Sequence, residues 1–334
     1  MSSSLPQPQK KSIVVASAYK FVQLDNCEQM RDRLLQFCQS QGLKGTLLLA
    51  SEGINGTVAG PQTSVDNLLQ FFRDDPRFSD LNPKLSRADE APFHRMKVKV
   101  KAEIVTMGVE AIDPSRQTGV HVDPQDWNAL IRDPEVLTID TRNQYEYAIG
   151  TFQNAIPSCS DNFHEFPQFV SENLDPRQHR KIAMFCTGGI RCEKASAYLL
   201  ERGFEEVYQL NGGILNYLEE QSAENSFWEG ECFVFDARVA VTDKLEPGSH
   251  IMCYACRRPL SERDCQSEQY QPGVACPYCC DRLSESQRAS FVERWRQAQI
   301  AESRKQKHVG ALMPDRQPLA KPISGDVLKG RAPD

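Results

Sequence analysis

One stretch, KIAMFCTGGIRCEKASAYLLERGF at residues 181–204, constrains the fold more than any other part of the chain. It opens on an apolar run with no polar alternation, the pattern of a strand covered on both faces. The run ends at Cys186, passes through two glycines and enters a helical pattern. A strand buried on both sides and followed at once by a helix requires parallel neighbours and helices above and below the sheet. VLTID at 136–140 and the strand pattern in VYQLNGG supply such neighbours. Residues 126–228 are therefore expected to form an α/β domain with a parallel sheet. RCEKASAYLLERGF is expected to be its amphipathic helix.

The same stretch carries chemistry. Cys186 sits at the carboxyl end of a parallel strand, where α/β sheets place their ligand crevices. The glycines of Thr187, Gly188, Gly189, Ile190 and Arg191 let successive backbone N–H groups converge on one point. The following helix N-terminus adds partial positive charge, and Arg191 adds a full one. Each favours thiolate over thiol, the form in which a cysteine reacts. The plain alternative is a structural cysteine before a Gly-rich turn. Cys192 reads either as a resolving thiol for Cys186 or as a residue packed under the loop. Asp140, Arg142 and Glu146 read as scaffolding.

Upstream, SIVVASAYKFVQL reads as a strand and NCEQMRDRLLQFCQSQGL as a helix with Met30, Leu34, Leu35 and Cys38 on one face. GTLLLASEGINGTVAG reads as two strands joined by a Gly/Asn turn. TSVDNLLQFFRDD reads as a second helix with a Ser/Thr cap, and FHRMKVKVKAEIV as a last strand. The order β-α-β-β-α-β over residues 13–110 predicts a ferredoxin-like sandwich. In the last strand Arg95, Lys97, Lys99 and Lys101 alternate with Met96, Val98, Val100 and Ala102. Four cations with no acid between them form a patch suited to the phosphate backbone of a nucleic acid, against the simpler reading of a charge-protected edge. The net charge of −6 confines any such contact to local patches.

After residue 229 the composition changes to cysteines, prolines and polar residues. Cys253 and Cys256, then Cys276 and Cys279, give C-x2-C-x19-C-x2-C, a spacing that closes a tetrahedral, structural zinc site. Cys265 and Cys280 are alternative ligands, and Cys232 has no assignment. A helix opened by Ser284 with Gln287 as a capping box follows, so that 229–298 forms one cysteine-rich unit. Residues 1–12 are expected to be disordered and 299–334 a flexible tail. No stretch is apolar and long enough to span a membrane, and MSSSLPQPQKKS lacks the apolar core of a secretion signal. Twelve cysteines without such a signal point to a reducing, cytoplasmic setting.

CTGGIR resembles the six-residue active-site loop of rhodanese domains, which carry sulfur as a cysteine persulfide. VLTIDTRNQYEYAIGTFQNAIP and VYQLNGGILNY resemble the flanking rhodanese segments. Related phosphatases have a loop one residue longer, and Arg191 follows Cys186 at the shorter spacing. With ASEGINGT upstream, GIRCEKAS in the loop and a cysteine-rich end, the chain as far as about residue 298 is similar to the tRNA uridine(34) hydroxylase family of the rhodanese-containing TrhO type. That resemblance implies tRNA as partner, molecular oxygen as co-substrate, 5-hydroxyuridine as product and Cys186 as the active-site cysteine. The electron donor is unknown. No two-His-one-carboxylate set or dinucleotide fingerprint stands in the sequence, since the histidines are scattered at 94, 121, 164, 179, 250 and 308. Two other functions are weighed beside this one: a sulfurtransferase carrying a persulfide, and a non-enzymatic RNA-binding or adaptor module.

Overall fold

A computed structural model describes residues 13–109 and 112–304. The β-branched, apolar opening of IVVASAYKF produces β1 (Ile13–Phe21). Helix α1 (Cys27–Ser40) buries Met30, Leu34 and Cys38, while Leu35 is only half-buried. The hairpin of β2 (Lys44–Ala50) and β3 (Gly53–Gly60) turns at Ser51 and Glu52; the expected Gly/Asn turn lies inside β3. Helix α2 (Gln62–Arg73) starts behind Pro61 without a side-chain cap, because Thr63 and Ser64 fall inside its first turn. Then come β4 (Lys84–Ala88) and β5 (Met96–Val100).

The sheet order is β4-β1-β3-β2-β5. The ferredoxin-like arrangement holds, with one correction. The strand that completes it beside β1 is β4, whose KLSRA sequence is half-exposed and lacks an apolar face. The basic strand β5 is a fifth, added parallel to β2 at the opposite edge. Leu34, Leu47, Leu49, Ile54, Val58, Leu68 and Phe72 form the core between helices and sheet. Among the described residues, the other face of the sheet carries no helix of this domain.

The central domain contains β6 (Val120–Val122), α3 (Pro124–Arg132), β7 (Val136–Asp140), α4 (Gln144–Tyr147), β8 (Gly150–Phe152), β9 (Ile156–Pro157), α5 (Phe166–Asn173), β10 (Lys181–Phe185), α6 (Ile190–Glu201), β11 (Glu206–Leu210) and α7 (Gly213–Glu220). Its sheet, β6-β11-β10-β7-β9, is parallel throughout. Ile182 and Met184 of β10 enter the core under α5 and α6, and Ala183 and Phe185 enter the one under α3 and α7. The continuous apolar run follows from that double burial.

Two boundaries move. The sheet begins at Val120, before the expected 126. Past the change in composition at 229, β12 (Trp228–Gly230) pairs with β8, and β13 (Cys232–Phe233) pairs with β14 (Ala240–Val241). Trp228, Cys232, Val234 and Val241 lie in the central core, so Cys232 is a packing residue. Helix α6 is also not amphipathic against solvent: every residue from Arg191 to Leu199 is buried, because the N-terminal domain covers its outer face.

The C-terminal unit has the hairpin β15 (Ile251–Met252) and β16 (Pro259–Leu260), the short α8 (Glu262–Cys265) and the long α9 (Glu285–Ser303). The Ser284–Gln287 capping box forms as expected. Helix α9 continues to Ser303, so the first residues of the expected tail are helical. The rest of that tail and the expected disorder of 1–12 lie outside the described residues. Among the described residues no helix is long and apolar enough to cross a membrane.

Candidate active site between two domains

Cys186 caps β10, and its thiol accepts the backbone N–H of Gly189 at 3.1 Å. The loop bends this tightly because Gly189 adopts φ +99, which a side chain resists. The amides at the start of α7 hold the loop from behind: Ile214 N–H donates to the Cys186 carbonyl at 3.0 Å and Leu215 N–H to that of Thr187 at 3.1 Å. A Cβ on Gly213 would stand 2.5 Å from the Cys186 carbonyl oxygen, so only glycine permits that approach.

Burial opposes ionisation of Cys186. The Cys192 thiol, the Arg191 charge and the amides of Cys192 and Arg191 outweigh it and lower the thiol to about 6. Cys192 is raised well above its usual value, by burial first and then by its hydrogen bond to Cys186. It is fully buried, with Thr141 Oγ1 3.6 Å from its sulfur. The pair thus divides into a lowered thiol at Cys186 and a raised one at Cys192 beside it. The structure favours the reading of Cys192 as packed under the loop.

Arg191 is not free for a substrate. Its guanidinium makes two 2.7 Å hydrogen bonds to Glu146, whose side chain is fully buried. Burial pushes the Glu146 carboxyl up, but the Arg191 charge and hydrogen bonds, with Arg142 behind them, hold it below its usual value. Asp140 and Arg142 form a second fully buried pair, 2.6 Å apart. Arg142 also donates to the Gly150 carbonyl at 2.5 Å. These three residues are scaffolding, as read from the sequence.

The loop opens into a cleft of about 830 Å³ between the two domains. Cys186, Thr187, Gly188, Ile190, Arg191 and Glu193 line one wall. The opposite wall is the helix-free face of the N-terminal sheet. Register places two rows on this face: Ser17, Thr57, Thr46 and Lys97, then Tyr19, Asn55, Leu48 and Lys99. Lys97 and Lys99 therefore extend the cleft wall toward the β5 edge. Lys97 is half-buried; burial, then the charges of Arg95, Lys99 and Arg257, lower its ammonium. Arg95 and Lys101 flank β5 and are exposed. Phe21, Phe93, Phe163 and Phe235 add aromatic surface to the cleft, and Phe235 is 64% exposed.

Sequence reasoning missed the residues that join the domains at this site. Glu193 accepts the Tyr19 hydroxyl at 2.9 Å, Thr118 Oγ1 at 2.8 Å and Gln209 Nε2 at 3.0 Å, and lies 3.0 Å from His121 Nε2. Lys194 reaches Glu52 at 2.8 Å and Glu103 at 2.5 Å. Glu52 also accepts the Ile104 N–H at 2.6 Å. The segments ASEGINGT and GIRCEKAS, far apart in the chain, are thus in direct contact. The one available signal was the charged pair Glu193–Lys194 directly behind the active-site loop.

Cys253, Cys256, Cys276 and Cys279 form a second centre, their sulfurs all within 4.8 Å of one another. The separations include 4.0 Å for Cys253–Cys279, 3.6 Å for Cys256–Cys276 and 3.7 Å for Cys276–Cys279. Four sulfurs at about 2.3 Å from a central ion stand roughly 3.8 Å apart, so the cluster fits a tetrahedral tetrathiolate metal site. Cys265 and Cys280 lie outside this set.

Residues 13–104 match the UPF0176 acylphosphatase-like domain and residues 123–220 the rhodanese-like domain. Among solved structures, the rhodanese-like domain of an Anabaena protein is 20% identical, with 33% of this chain and 78% of that chain covered and a TM-score of 0.28. A rhodanese-related protein from Thermoplasma volcanium is 23% identical, covering 30% of this chain and 92% of that chain with a TM-score of 0.26. An acylphosphatase from Coxiella burnetii is 13% identical, covering 28% of this chain and 100% of that chain with a TM-score of 0.22.

Proposed function

The chain has the domain architecture of the UPF0176/TrhO family, an acylphosphatase-like domain followed by a rhodanese-like domain, and from that premise we propose that it hydroxylates the wobble uridine of tRNA at C5. The observation that carries this reading is the cleft. A thiolate stands at its wall, the volume exceeds what a single nucleobase needs, aromatic side chains line it, and register sets Lys97 and Lys99 on the same sheet face. A flipped-out base can enter such a cleft while its strand stays on the basic edge.

The residues support a definite order of bond changes. The Cys186 thiolate adds to C6 of uracil, forming S–C6 and shifting the C5=C6 pair into an enolate across C5 and O4. C5 becomes the electron-rich carbon that takes one oxygen atom from molecular oxygen. The other atom leaves as water, with two electrons from an external donor and three protons from solvent, two for the water and one for the C5 hydroxyl. Loss of the C5 proton and cleavage of S–C6 then restore the C5=C6 bond and the thiolate. The four-cysteine cluster is assigned to zinc, which when bound supplies folding energy to a segment with a small core of its own.

A sulfurtransferase reading is favoured by one observation, the Gly189 N–H directed at the Cys186 sulfur, which also suits a persulfide. Nucleoside analysis by mass spectrometry separates the two. In a strain lacking this gene and any redundant route, wild type restores 5-hydroxyuridine-derived nucleosides and Cys186→Ala does not. Failure of wild type to restore them, with rapid Cys186-dependent turnover of thiosulfate, establishes the sulfurtransferase instead.

A further inference from the structure

The thiolate loop belongs to the central domain, yet the N-terminal domain places a side chain against it. Tyr19 Oη would stand 2.8 Å from a Cβ on Gly189, the residue whose N–H meets the Cys186 sulfur. Tyr19, His121, Glu193 and Cys186 all line the same cleft. The Tyr19 hydroxyl donates to Glu193 Oε1, and His121 Nε2 lies 3.0 Å from that same oxygen. The His121 side chain is 42% exposed, whereas that of Glu193 is 12% exposed. A continuous hydrogen-bonded path therefore runs from the cleft beside the thiolate, through a buried carboxylate, to an imidazole in contact with water.

We propose that Tyr19, Glu193 and His121 form a proton relay serving the substrate atom bound beside Cys186. The assignment rests on the hydroxylation reading, in which the adduct must lose its C5 proton. Because the Tyr19 hydrogen points at Glu193, its oxygen lone pairs are available to the cleft. The proton leaving C5 goes to Tyr19 Oη while the Tyr19 proton passes to Glu193 Oε1. His121, having first given its own proton to water, takes that proton from Glu193 Oε1 at Nε2, and the chain returns to its starting state with no net oxidation.

The surrounding groups suit this use. Burial, Glu193 and Cys186 raise Tyr19 well above its usual value, so it enters the step protonated. Glu193 faces His121, Tyr19, Thr118 and Gln209; burial pushes it up, and the hydrogen bonds and the His121 charge hold it below its usual value. His121 faces Glu193 and Asp123, and the hydrogen bond and charge of Glu193 raise it against the effect of burial. Tyr19 is the member that meets substrate, while Glu193 and His121 act through it.

The experiment uses the purified full-length chain, an anticodon stem-loop RNA, and the variants Tyr19→Phe and His121→Gln. Tyr19→Phe is expected to slow single-turnover 5-hydroxyuridine formation about 100-fold, the usual worth of a positioned acid–base group. Its RNA affinity and its rate of Cys186 alkylation by iodoacetamide should stay within about twofold of wild type, on the same scale. His121→Gln keeps a hydrogen bond but removes the pH-dependent limb of the rate. An unchanged rate in Tyr19→Phe, or a loss matched by slower alkylation, overturns the relay. If wild type forms no 5-hydroxyuridine, the function reading fails, and NMR titration of His121 decides the path itself. Loss of the Tyr19 donor should leave more of the Glu193 charge to His121 and move its titration upward; an unmoved titration shows that the path does not exist.

Discussion

Lys194 Nζ lies 2.8 Å from Glu52 Oε2, and this ion pair fixes helix α6 of the central domain to the β2–β3 turn of the N-terminal domain. The ammonium is 2% exposed and also holds Glu103 and the Val105 carbonyl. Lys194→Ala removes the cation that two carboxylates, each about one-fifth exposed, share. A loss of roughly 3 kcal/mol is expected, toward the lower end for breaking a buried pair because both glutamates keep some contact with water. Thermal unfolding measures it, and the triple variant Glu52→Gln, Glu103→Gln, Lys194→Met should recover part of the loss.

Cys186 should react with iodoacetamide with a midpoint near pH 6, since the thiolate is the reactive form and its thiol is lowered to about 6. Cys192→Ala deletes a donor to that thiolate. A hydrogen bond to a charged group is worth about 1.5–3 kcal/mol, equal to roughly one to two pH units, so the midpoint should rise by about that much. Cys192→Ser, which keeps a donor, should move it less. Mass-spectrometric alkylation rates between pH 5 and 9 read both changes, and equal midpoints in all three proteins would refute the role given to Cys192.

The buried Arg191–Glu146 pair sets a signature in the dependence of stability on pH. In the wild type Glu146 is held below its ordinary value near 4.5, so its contribution is complete above that value and fades as pH falls through the native one. Arg191→Ala leaves the carboxyl buried without its main partner, and burial then raises it. Its contribution becomes complete below the unfolded value and is lost as pH rises through the native one. Melting temperatures between pH 4 and 8 should rise to a plateau for wild type and decline for Arg191→Ala.

Elemental analysis of the purified protein should give about one zinc per chain, as one tetrathiolate site requires. Cys256→Ser or prolonged chelation should open residues 253–283 to protease. The two larger domains, whose cores share no residue with the cluster, should melt as before. Loss of metal without new cleavage would show that the segment folds on its own.

Lys97→Glu with Lys99→Glu should weaken tRNA binding at least about tenfold at low salt and reduce the slope of log affinity against log salt by roughly 2, one unit for each lysine that no longer neutralises a phosphate. Binding titrations at several salt concentrations test this. An unchanged slope would return these lysines to the role of a charged sheet edge.

The legible parts of the sequence were those whose cause is local. KIAMF followed by CTGGIR predicts the strand, the turn and the thiolate, because short-range geometry determines all three. The four-cysteine spacing predicts its cluster for the same reason. Residues whose meaning depends on distant partners stayed hidden. Tyr19 reads as an ordinary strand residue until Glu193 approaches from 174 positions away. Strand β4 escaped notice because its half-exposed sequence lacks an apolar face, and that let β5 take its place in the expected order. Residues 229–241 read by composition as part of the cysteine-rich unit, although Cys232, Val234 and Val241 finish the central core.

The enclosure of α6 on every side has a consequence for how this chain can be divided. Severed from residues 13–109, the central domain would leave Lys194 without its two glutamates and Glu193 without the Tyr19 hydroxyl, along the flank of a helix whose other faces are already packed. Neither piece is then a portable module, and the two should be inherited, expressed and lost together. The Glu-Lys step after the loop cysteine acts as an address, naming the one neighbour this loop was built to face.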